Sequence, residues 1–149
     1  MAKFEIVNKN FRKQSNSIRL PSKATQHSAG YDFYSPIDIE IKPHKSYLLW
    51  TDIKAKIDED ECLLLAPRSS VAVKKHIMLT NSVGIIDSDY YNNSDNDGNI
   101  GIHLYNYGET ISKINKNERI VQGIIIKISK DKIIKTWYKR KGGFGSTGG

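Results

Sequence analysis

The sequence has 149 residues, which is enough for one domain with its own hydrophobic core. Its net charge is +7, from 23 lysines and arginines against 16 aspartates and glutamates, and this suits a polyanionic partner such as a triphosphate or a nucleic acid. We find no apolar run long enough to cross a membrane, no signal-peptide pattern and one cysteine, Cys62, which excludes a disulfide framework. We therefore expect a cytoplasmic protein in which Cys62 is a small buried residue.

Short stretches typical of β-strands recur along the chain, with turn residues between them. They lie at residues 3–7, 37–41, 47–50, 53–57, 62–65, 123–128 and 132–138. Residues 69–75 are the best helix candidate, one or two turns with a serine available as the N-cap. Many short strands at this spacing predict an all-β sandwich or barrel with one short helix.

The centre of the chain changes character within a few residues. The apolar run 83–86 passes into a polar cluster at residues 87–98, and apolar residues then alternate with polar ones up to Leu104. This pattern predicts a hairpin with a long tip. Asp87 directly follows two isoleucines at a strand end, where a carboxylate can do chemistry on a rigid frame. We interpret Asp95 and Asp97 as residues that merely solvate the loop.

Other polar stretches suit a phosphorylated ligand. Arg68, Ser69 and Ser70 at the helix start offer a guanidinium, two hydroxyls and unpaired backbone N–H groups. In the glycine-rich C-terminal segment, residues 145–148 offer further N–H groups and hydroxyls. No histidine pair has the spacing of metal ligands, so any metal should be a hard cation held mainly by phosphate oxygens and water. Mg²⁺ is the first choice.

The C-terminal segment, residues 139–149, differs from the rest of the chain. It contains too few apolar residues to fold alone, yet it includes Phe144. We predict one domain at residues 1–138 and a flexible lid at residues 139–149 that orders only over a bound phosphorylated ligand. A disordered tail without a function is the alternative.

Taken in order, five of these stretches resemble the five motifs of the trimeric deoxyuridine triphosphatase (dUTPase) family. They are residues 29–32, 66–70, 84–90, 119–122 and 143–148, and the match runs from about Leu20 to the end. The resemblance implies a jelly-roll-like β subunit and a homotrimer whose three active sites are shared between subunits. It also implies hydrolysis of dUTP to dUMP and pyrophosphate with Mg²⁺, and no nucleic acid is required.

The resemblance further implies roles for individual residues. Asp87 would activate the water that attacks the α-phosphorus, and Tyr90 would pack beneath the deoxyribose. Asp32 would help to hold Mg²⁺ through water, and Phe144 would stack on the uracil. The uracil edge would pair with backbone groups of Ile100, Gly101 and Ile102. Phosphates and water would be bound by Asn81, Gln122, Arg140, Gly145, Ser146 and Thr147, and by Arg68, Ser69 and Ser70 of a neighbouring subunit.

The sequence departs from the family pattern at three places. Residues 91–97 precede Gly98 and enlarge the predicted tip. The usual position of the arginine ahead of Phe144 holds Lys139, and we assign the arginine role to Arg140 because lysine lacks the bidentate fork. Gly123 stands where a bulky apolar residue is common.

Two alternatives to dUTP hydrolysis stay open. A dCTP deaminase resembles this family in fold, but its chemistry favours a catalytic glutamate over Asp87 in this setting. A regulatory or binding protein on the same scaffold could contact a protein or a nucleic acid through residues 91–97. The intact set of Asp87, Tyr90, Gln122 and Phe144 favours the hydrolase.

Overall fold

The computed structural model describes residues 2–14, 17–129 and 139–145, and the regular secondary structure of these residues is almost entirely β-strand. The strand predicted at residues 132–138, together with Ser146 and Thr147, lies outside them. Within the described ranges no helix is long and apolar enough to span a membrane. The elements are β1 Lys3–Ile6, β2 Tyr31–Tyr34, β3 Ile39–Ile41, β4 Ser46–Trp50, β5 Ile53–Lys56, β6 Glu61–Pro67, α1 Ser69–Lys75, β7 Ile77–Leu79, β8 Gly84–Asp87, β9 Gly101–Asn106, β10 Ser112–Ile114 and β11 Arg119–Lys127. The prediction of an all-β fold with one short helix is confirmed.

The strands pair antiparallel in four sheets. The largest has the order β2-β11-β6-β8, a second has the order β4-β9-β7, and β1-β5 and β3-β10 are two-stranded. Strand β9 shows why these sequences form sheets, since every second residue from Ile102 onward is buried and the side-chain period of a strand is two. The buried side chains form one core, in which Phe33, Leu63 and Leu104 are fully enclosed, and Cys62 is buried as predicted.

The predicted central hairpin is wrong, because β8 and β9 belong to different sheets. Strand β8 pairs with β6 at the edge of the four-stranded sheet, whereas β9 lies between β4 and β7. The chain crosses between the two sheets through a 3₁₀ turn, Ser88–Tyr90, and the loop of residues 91–97. This segment, which we call the 91–97 loop, is therefore a connection between sheets.

The 91–97 loop is fastened to the body of the domain through Asp97. The Asp97 side chain is only 6% exposed, and its Oδ2 lies 2.9 Å from the Nζ of buried Lys54. The same oxygen accepts a hydrogen bond of 2.7 Å from the backbone N–H of Asn8. A buried carboxylate needs such partners, because an unpaired buried charge is costly. The interpretation of Asp97 as a solvating residue is therefore wrong.

Two local details bear on the sequence analysis: the start of α1 differs from the prediction, and the packing of β11 explains Gly123. The N-cap of α1 is Arg68, in an extended conformation and without a side-chain cap, so the predicted serine N-cap is wrong. Gly123 has a packing reason, since a Cβ there would lie 2.8 Å from side-chain atoms of both Leu63 and Phe33. Any larger residue would displace the core at this point.

Candidate active site

A cavity of about 280 Å³ opens between β8, β9 and the C-terminal segment. The end of β8 and the start of β9 supply its walls, although the two strands belong to different sheets. Concave sites with a few convergent polar groups are the usual places for small ligands. The cavity lining includes many of the residues selected from the sequence, namely Asn81, Asp87, Tyr90, Gly101, Ile102, Arg140 and Phe144.

Tyr90 is a fixed aromatic surface in this cavity. It is 5% exposed, and its hydroxyl donates a hydrogen bond of 2.7 Å to the backbone oxygen of Asn99. The side-chain amide of Asn96 donates to the same hydroxyl at 2.7 Å. Burial raises the pKa of Tyr90, and the Asn96 hydrogen bond and the charge of Arg140 only partly offset this. The phenol is therefore neutral at physiological pH.

Asp87 lies at the mouth of the cavity and forms an ion pair with the C-terminal segment. The guanidinium Nη1 of Arg140 is 2.7 Å from Asp87 Oδ2 and 2.9 Å from Asp89 Oδ1. Partial burial alone would lower the pKa of Arg140, but the hydrogen bonds and charges of the two carboxylates outweigh it and raise that pKa. Asp87 keeps a half-exposed side chain, so water can reach its carboxylate.

The backbone edge of β9 is accessible only at its start. Strand β7 pairs with β9 from Leu104 to Asn106, and the Thr80 N–H donates to the His103 oxygen at 3.0 Å, so the edge is open from Gly101 toward the cavity. The structure does not bring Ile100 to the cavity. Its N–H donates to the Ile53 oxygen at 2.9 Å, and its oxygen accepts from the backbone N–H and the hydroxyl of Thr51. Ile102 lines the cavity, but its backbone groups face Leu49 of β4, so the backbone contact with uracil is left to Gly101.

A second and more open cavity, of about 440 Å³, lies beside the start of α1. Arg68 Nε is 3.1 Å from Asp32 Oδ1, and Arg119 Nη1 is 3.3 Å from Asp32 Oδ2. A third guanidinium, that of Arg19, stacks 3.7 Å from the centroid of the Tyr34 ring. The full lining is Arg19, Tyr34, Arg68, Ser70, Asn117, Glu118 and Arg119. Three arginines line this cavity, and guanidinium groups are well suited to binding phosphate.

Two other predicted residues lie near this second cavity. Ser69 is exposed at the first position of α1, next to Arg68. Gln122 is half-buried in β11, where it stands opposite Asp32 on one side and Ala66 on the other. The residues selected from the sequence are therefore divided between the two cavities of the chain.

Asp87 and Arg68 lie far apart within the chain. Asp87 pairs with Cys62 near one end of β6, and Arg68 follows the opposite end of the same strand. Arg68 is six steps along the extended chain from Cys62, a distance of about 20 Å at about 3.3 Å per residue. Asp87 and Arg68 of the same chain are therefore too far apart to contact the same phosphate group.

The described residues do not form a cage for Mg²⁺. They contain no group of three His, Cys, Asp or Glu side chains that could hold a metal ion. Both oxygens of Asp32 are engaged by arginines, so this carboxylate does not fit a protein-held cation without exchanging one of them. A role of Asp32 toward Mg²⁺ through water stays a prediction.

The described part of the C-terminal segment lies against the cavity of its own chain. Arg140 lines this cavity, whereas Lys139 does not, which agrees with the choice of Arg140 for the arginine role. The backbone oxygen of Lys141 accepts a hydrogen bond of 2.9 Å from the N–H of Asp95 in the 91–97 loop. Gly145 follows with a positive φ of 95°. The expectation that this segment closes over another subunit stays a prediction.

Sequence reasoning missed Trp50, which contacts both a cavity wall and the C-terminal segment. Its ring centroid is 6.0 Å from that of Phe144 in an edge-to-face arrangement. A Cβ on Gly101 would lie 3.1 Å from the Trp50 ring, so the indole covers Gly101. Phe144 itself is 68% exposed. No local signal marks Trp50, because both partners are distant in the sequence.

Comparison with known proteins gives consistent results. The family model described as dUTPase matches residues 16–148. The deoxyuridine 5'-triphosphate nucleotidohydrolase of Lactococcus lactis is 38% identical over 147 residues, covering 97% of this chain and 96% of its own. The enzyme of the same name from fowlpox virus is 40% identical over 144 residues, covering 91% of this chain and 94% of its own.

Solved structures give the same result for the fold. The dUTPase from Streptococcus mutans superposes with a TM-score of 0.75 at 34% identity, covering 89% of this chain and 98% of that one. The dUTPase of Staphylococcus bacteriophage 80alpha with dUPNHPP superposes with a TM-score of 0.73 at 25% identity, covering 99% and 98%. The predicted jelly-roll-like fold is confirmed by these similarities together with the strand arrangement.

Proposed function

This chain belongs to the dUTPase family, and we propose that it hydrolyses dUTP to dUMP and pyrophosphate. The observation that carries the proposal is the convergence of Asp87, Tyr90 and the accessible edge of β9 on one cavity. A carboxylate, a neutral aromatic surface and free backbone groups are the parts needed to activate water, select a sugar and read a base. The names of the relatives support the same activity.

Recognition of the nucleoside follows from the cavity walls. The backbone of Gly101 would pair with the uracil edge, since β7 leaves this part of β9 uncovered, and Ile102 would line the pocket beside it. The ring of Tyr90 would lie beneath the deoxyribose, where its hydroxyl is already occupied by Asn99 and Asn96. A sugar with a 2'-hydroxyl would meet this ring without finding a hydrogen-bond partner. We therefore assign sugar selection to Tyr90.

Replacement of Tyr90 with alanine should lower the preference for dUTP over UTP. We expect the ratio of the two kcat/KM values to fall by about 10- to 100-fold, because a pocket wall rejects an added hydroxyl by about that factor. Steady-state kinetics with both nucleotides measure it. Tyr47→Ala is the matched control, since Tyr47 is 37% exposed on β4 and does not line the cavity. An unchanged ratio in Tyr90→Ala would place the discriminating wall elsewhere.

The chemical step assigned to Asp87 is general-base catalysis. Its carboxylate takes a proton from a water molecule while the water oxygen attacks the α-phosphorus. The bond from the α-phosphorus to the bridging oxygen breaks, and pyrophosphate leaves with the electron pair. Arg140 would exchange its carboxylate partners for triphosphate oxygens, because the same guanidinium fork suits both. Most of the rate gain would come from positioning and charge neutralisation.

Mg²⁺ would enter as part of the substrate, bound to the triphosphate. We therefore expect calorimetric titration of the nucleotide-free protein with Mg²⁺ to show weak binding or none. With a non-hydrolysable dUTP analogue present, the same titration should show saturable binding. Tight binding of Mg²⁺ to the nucleotide-free protein would contradict this expectation.

We also propose a homotrimer, supported by an apolar face of the four-stranded sheet. Leu64 on β6 stands between Ile85 on β8 and Ile124 on β11, and Ile126 lies on the same face. Ile85 is 60% exposed and Ile126 is 38% exposed, whereas the opposite face, with Leu63 and Leu65, belongs to the core. Contiguous apolar area on a sheet face is typical of obligate subunit interfaces.

Replacement of Ile124 with glutamate should dissociate the trimer. A carboxylate would be buried in the proposed interface at a cost of several kcal/mol per subunit. Sedimentation velocity should show monomers in place of trimers, with loss of dUTP hydrolysis. Ile111→Glu is the matched control, because Ile111 is 49% exposed and precedes β10 in a different sheet. Dissociation by both variants, or by neither, would remove this face from the interface.

Sharing of each site between subunits would follow from the separation of Asp87 and Arg68 within one chain. A nucleotide against Tyr90 has its phosphates near Asp87, about 20 Å of β-strand away from Arg68 of the same chain. Arg68, Ser69, Ser70 and Gln122 would therefore serve the nucleotide bound by a neighbouring subunit. Residues 139–149 would form the lid over a domain of residues 1–138, with Phe144 on the uracil and Gly145, Ser146 and Thr147 on the phosphates.

The experiment that tests the proposed function is a comparison of four nucleotides. The protein is incubated with dUTP, dCTP, dTTP or UTP and Mg²⁺, and both pyrophosphate and ammonia are measured. We expect pyrophosphate from dUTP well ahead of the other three, and no ammonia. Ammonia from dCTP would indicate the deaminase instead. A failure to hydrolyse dUTP would reject the proposed function.

A further inference from the structure

We propose that Asn96 is a positioning residue for Tyr90, and that through it the 91–97 loop sets how strictly the site rejects a ribose. The inference rests on the proposed function for its substrate and on the described contacts for its geometry. Asn96 is not part of the cavity lining and would not touch the nucleotide. Its effect would pass entirely through the ring of Tyr90.

The hydroxyl end of Tyr90 is held from two sides. It donates to the Asn99 oxygen at 2.7 Å and accepts from Asn96 Nδ2 at 2.7 Å. The orientation of the Asn96 amide is fixed by its other contacts, because its Oδ1 accepts from Asn93 Nδ2 at 2.8 Å and from the Gly98 N–H at 3.0 Å. A flipped amide would lose all of these pairings. Asn96 therefore presents a donor to the tyrosine.

The backbone end of Tyr90 is held by the same loop. The Nδ2 of Asn93 donates to the Tyr90 oxygen at 2.8 Å. Asn93 is only 6% exposed, and its Oδ1 accepts from the N–H groups of Asp95 and Asn96 at 3.1 Å. Asn93 therefore holds the backbone of Tyr90, and Asn96 holds its hydroxyl. The two asparagines also hydrogen-bond each other.

The loop can act as a brace because it is itself anchored. Asp97 forms the buried ion pair with Lys54, whose Nζ also donates to Asn92 Oδ1 at 2.6 Å. Tyr91 donates to Glu5 Oε2 at 2.7 Å. These contacts attach the loop to β5 and β1, which pair with each other. Movement of Tyr90 would therefore have to break contacts with the body of the domain.

A fixed ring is what selection against a ribose requires. The 2'-hydroxyl adds only one oxygen, and a ring that can shift would accommodate it at little cost, whereas a ring held at both ends cannot. Loosening the brace should therefore favour UTP more than it harms dUTP. General destabilisation of the fold would lower turnover of both nucleotides equally and leave their ratio unchanged.

The test uses an isosteric substitution with a matched control. Asn96→Asp keeps the acceptor toward Asn93 and Gly98 but replaces the donor facing the Tyr90 hydroxyl with an oxygen. Asn92→Asp makes the same chemical change in the same loop and keeps the acceptor toward Lys54. We expect Asn96→Asp to lower the dUTP/UTP ratio of kcat/KM about tenfold, mainly by raising the value for UTP. Asn92→Asp should leave the ratio within about twofold.

A double-mutant cycle with Tyr90→Phe shows whether the effect passes through the hydroxyl. In the Tyr90→Phe background, Asn96→Asp should produce no further change in the ratio, because the interaction is already absent. An unchanged ratio in the folded Asn96→Asp protein, or an equal and additive drop in the Tyr90→Phe background, would overturn the proposal.

The brace can be judged separately from the proposed function. With ring-labelled tyrosine, NMR should show that Asn96→Asp shifts the Tyr90 resonance and raises the pKa of Tyr90, because a hydrogen bond to the phenolate is lost and a negative charge is added. Tyr90→Phe assigns the resonance. Unaltered Tyr90 resonances would reject the brace, whereas a wild-type protein that does not hydrolyse dUTP would reject only the proposed function.

Discussion

Replacing Asp87 with asparagine is expected to lower kcat for dUTP by about 10²-fold or more, while KM changes little. The amide has the shape of the carboxylate but cannot accept the proton of the attacking water. In the proposed site, substrate binding would rely mainly on Tyr90, the β9 edge and phosphate contacts, so it should persist. Single-turnover measurements would confirm that the chemical step is the one affected.

Asp89→Asn is the matched control for this substitution. Asp89 contacts the same Arg140 nitrogen at 2.9 Å and is similarly exposed, at 63% against 52% for Asp87. The control therefore removes one partner of the same arginine and leaves the proposed base in place. Its activity should stay within about tenfold of the wild type, since an exposed ion pair contributes little. Near-normal turnover in folded Asp87→Asn would remove Asp87 from the mechanism.

The second prediction is that two inactive variants recover activity when they form mixed trimers. Asp87→Asn and Arg68→Ala should each be strongly impaired as homotrimers. If every site combines Asp87 from one subunit with Arg68 from another, random mixing leaves ~25% of sites with both residues intact, because each is intact in half of the subunits. Co-expression with two affinity tags isolates the mixed trimers, in which about one site in three would have both residues intact. Such recovery requires a shared site.

Activity of the mixed trimers no higher than the sum of the separate variants would contradict shared sites. Pairing Asp87→Asn with a truncation after Tyr138 applies the same design to the lid. The resemblance to the trimeric family implies recovery in that mixture as well, whereas the contact of Arg140 with Asp87 of its own chain would give none. This pairing therefore assigns the lid to a subunit.

Local properties of the fold were predictable from the sequence. Alternation of apolar and polar residues indicated β3, β5 and β9, and the apolar runs indicated β6 and β11. Strands β2, β7 and β10 were missed. The last two are only three residues long, and a stretch that short carries too few positions for a period of two to be evident.

Strand partners were not predictable, because pairing depends on contacts between distant parts of the chain. Residues 83–104 have the pattern of a hairpin, yet β8 and β9 find their partners in β6 and β4. The burial of Asp97 has the same origin, since its partner Lys54 lies 43 residues away. A polar loop sequence indicates solvent exposure only while such a partner is unknown.

In the candidate site, too, residues in motifs were predictable from the sequence and long-range contacts were not. Asp87, Tyr90 and Arg140 were selected through motifs, and the fold brings them to one cavity. Ile100 was selected by its position beside Gly101, but its backbone groups are used by Thr51 and Ile53. The support that Asn96 gives Tyr90 was invisible in the sequence, because neither residue type nor spacing specifies which hydroxyl an amide will reach.

Hydrolysis of dUTP in water enriched in ¹⁸O tests the central claim most directly. Attack of a water molecule on the α-phosphorus places the label in dUMP, and the bridging oxygen leaves with unlabelled pyrophosphate. Mass spectrometry of both products after a single turnover distinguishes the two positions. The proposed function and the role of Asp87 predict one ¹⁸O in dUMP and none in pyrophosphate. Label in pyrophosphate would show attack at the β-phosphorus and would contradict the mechanism.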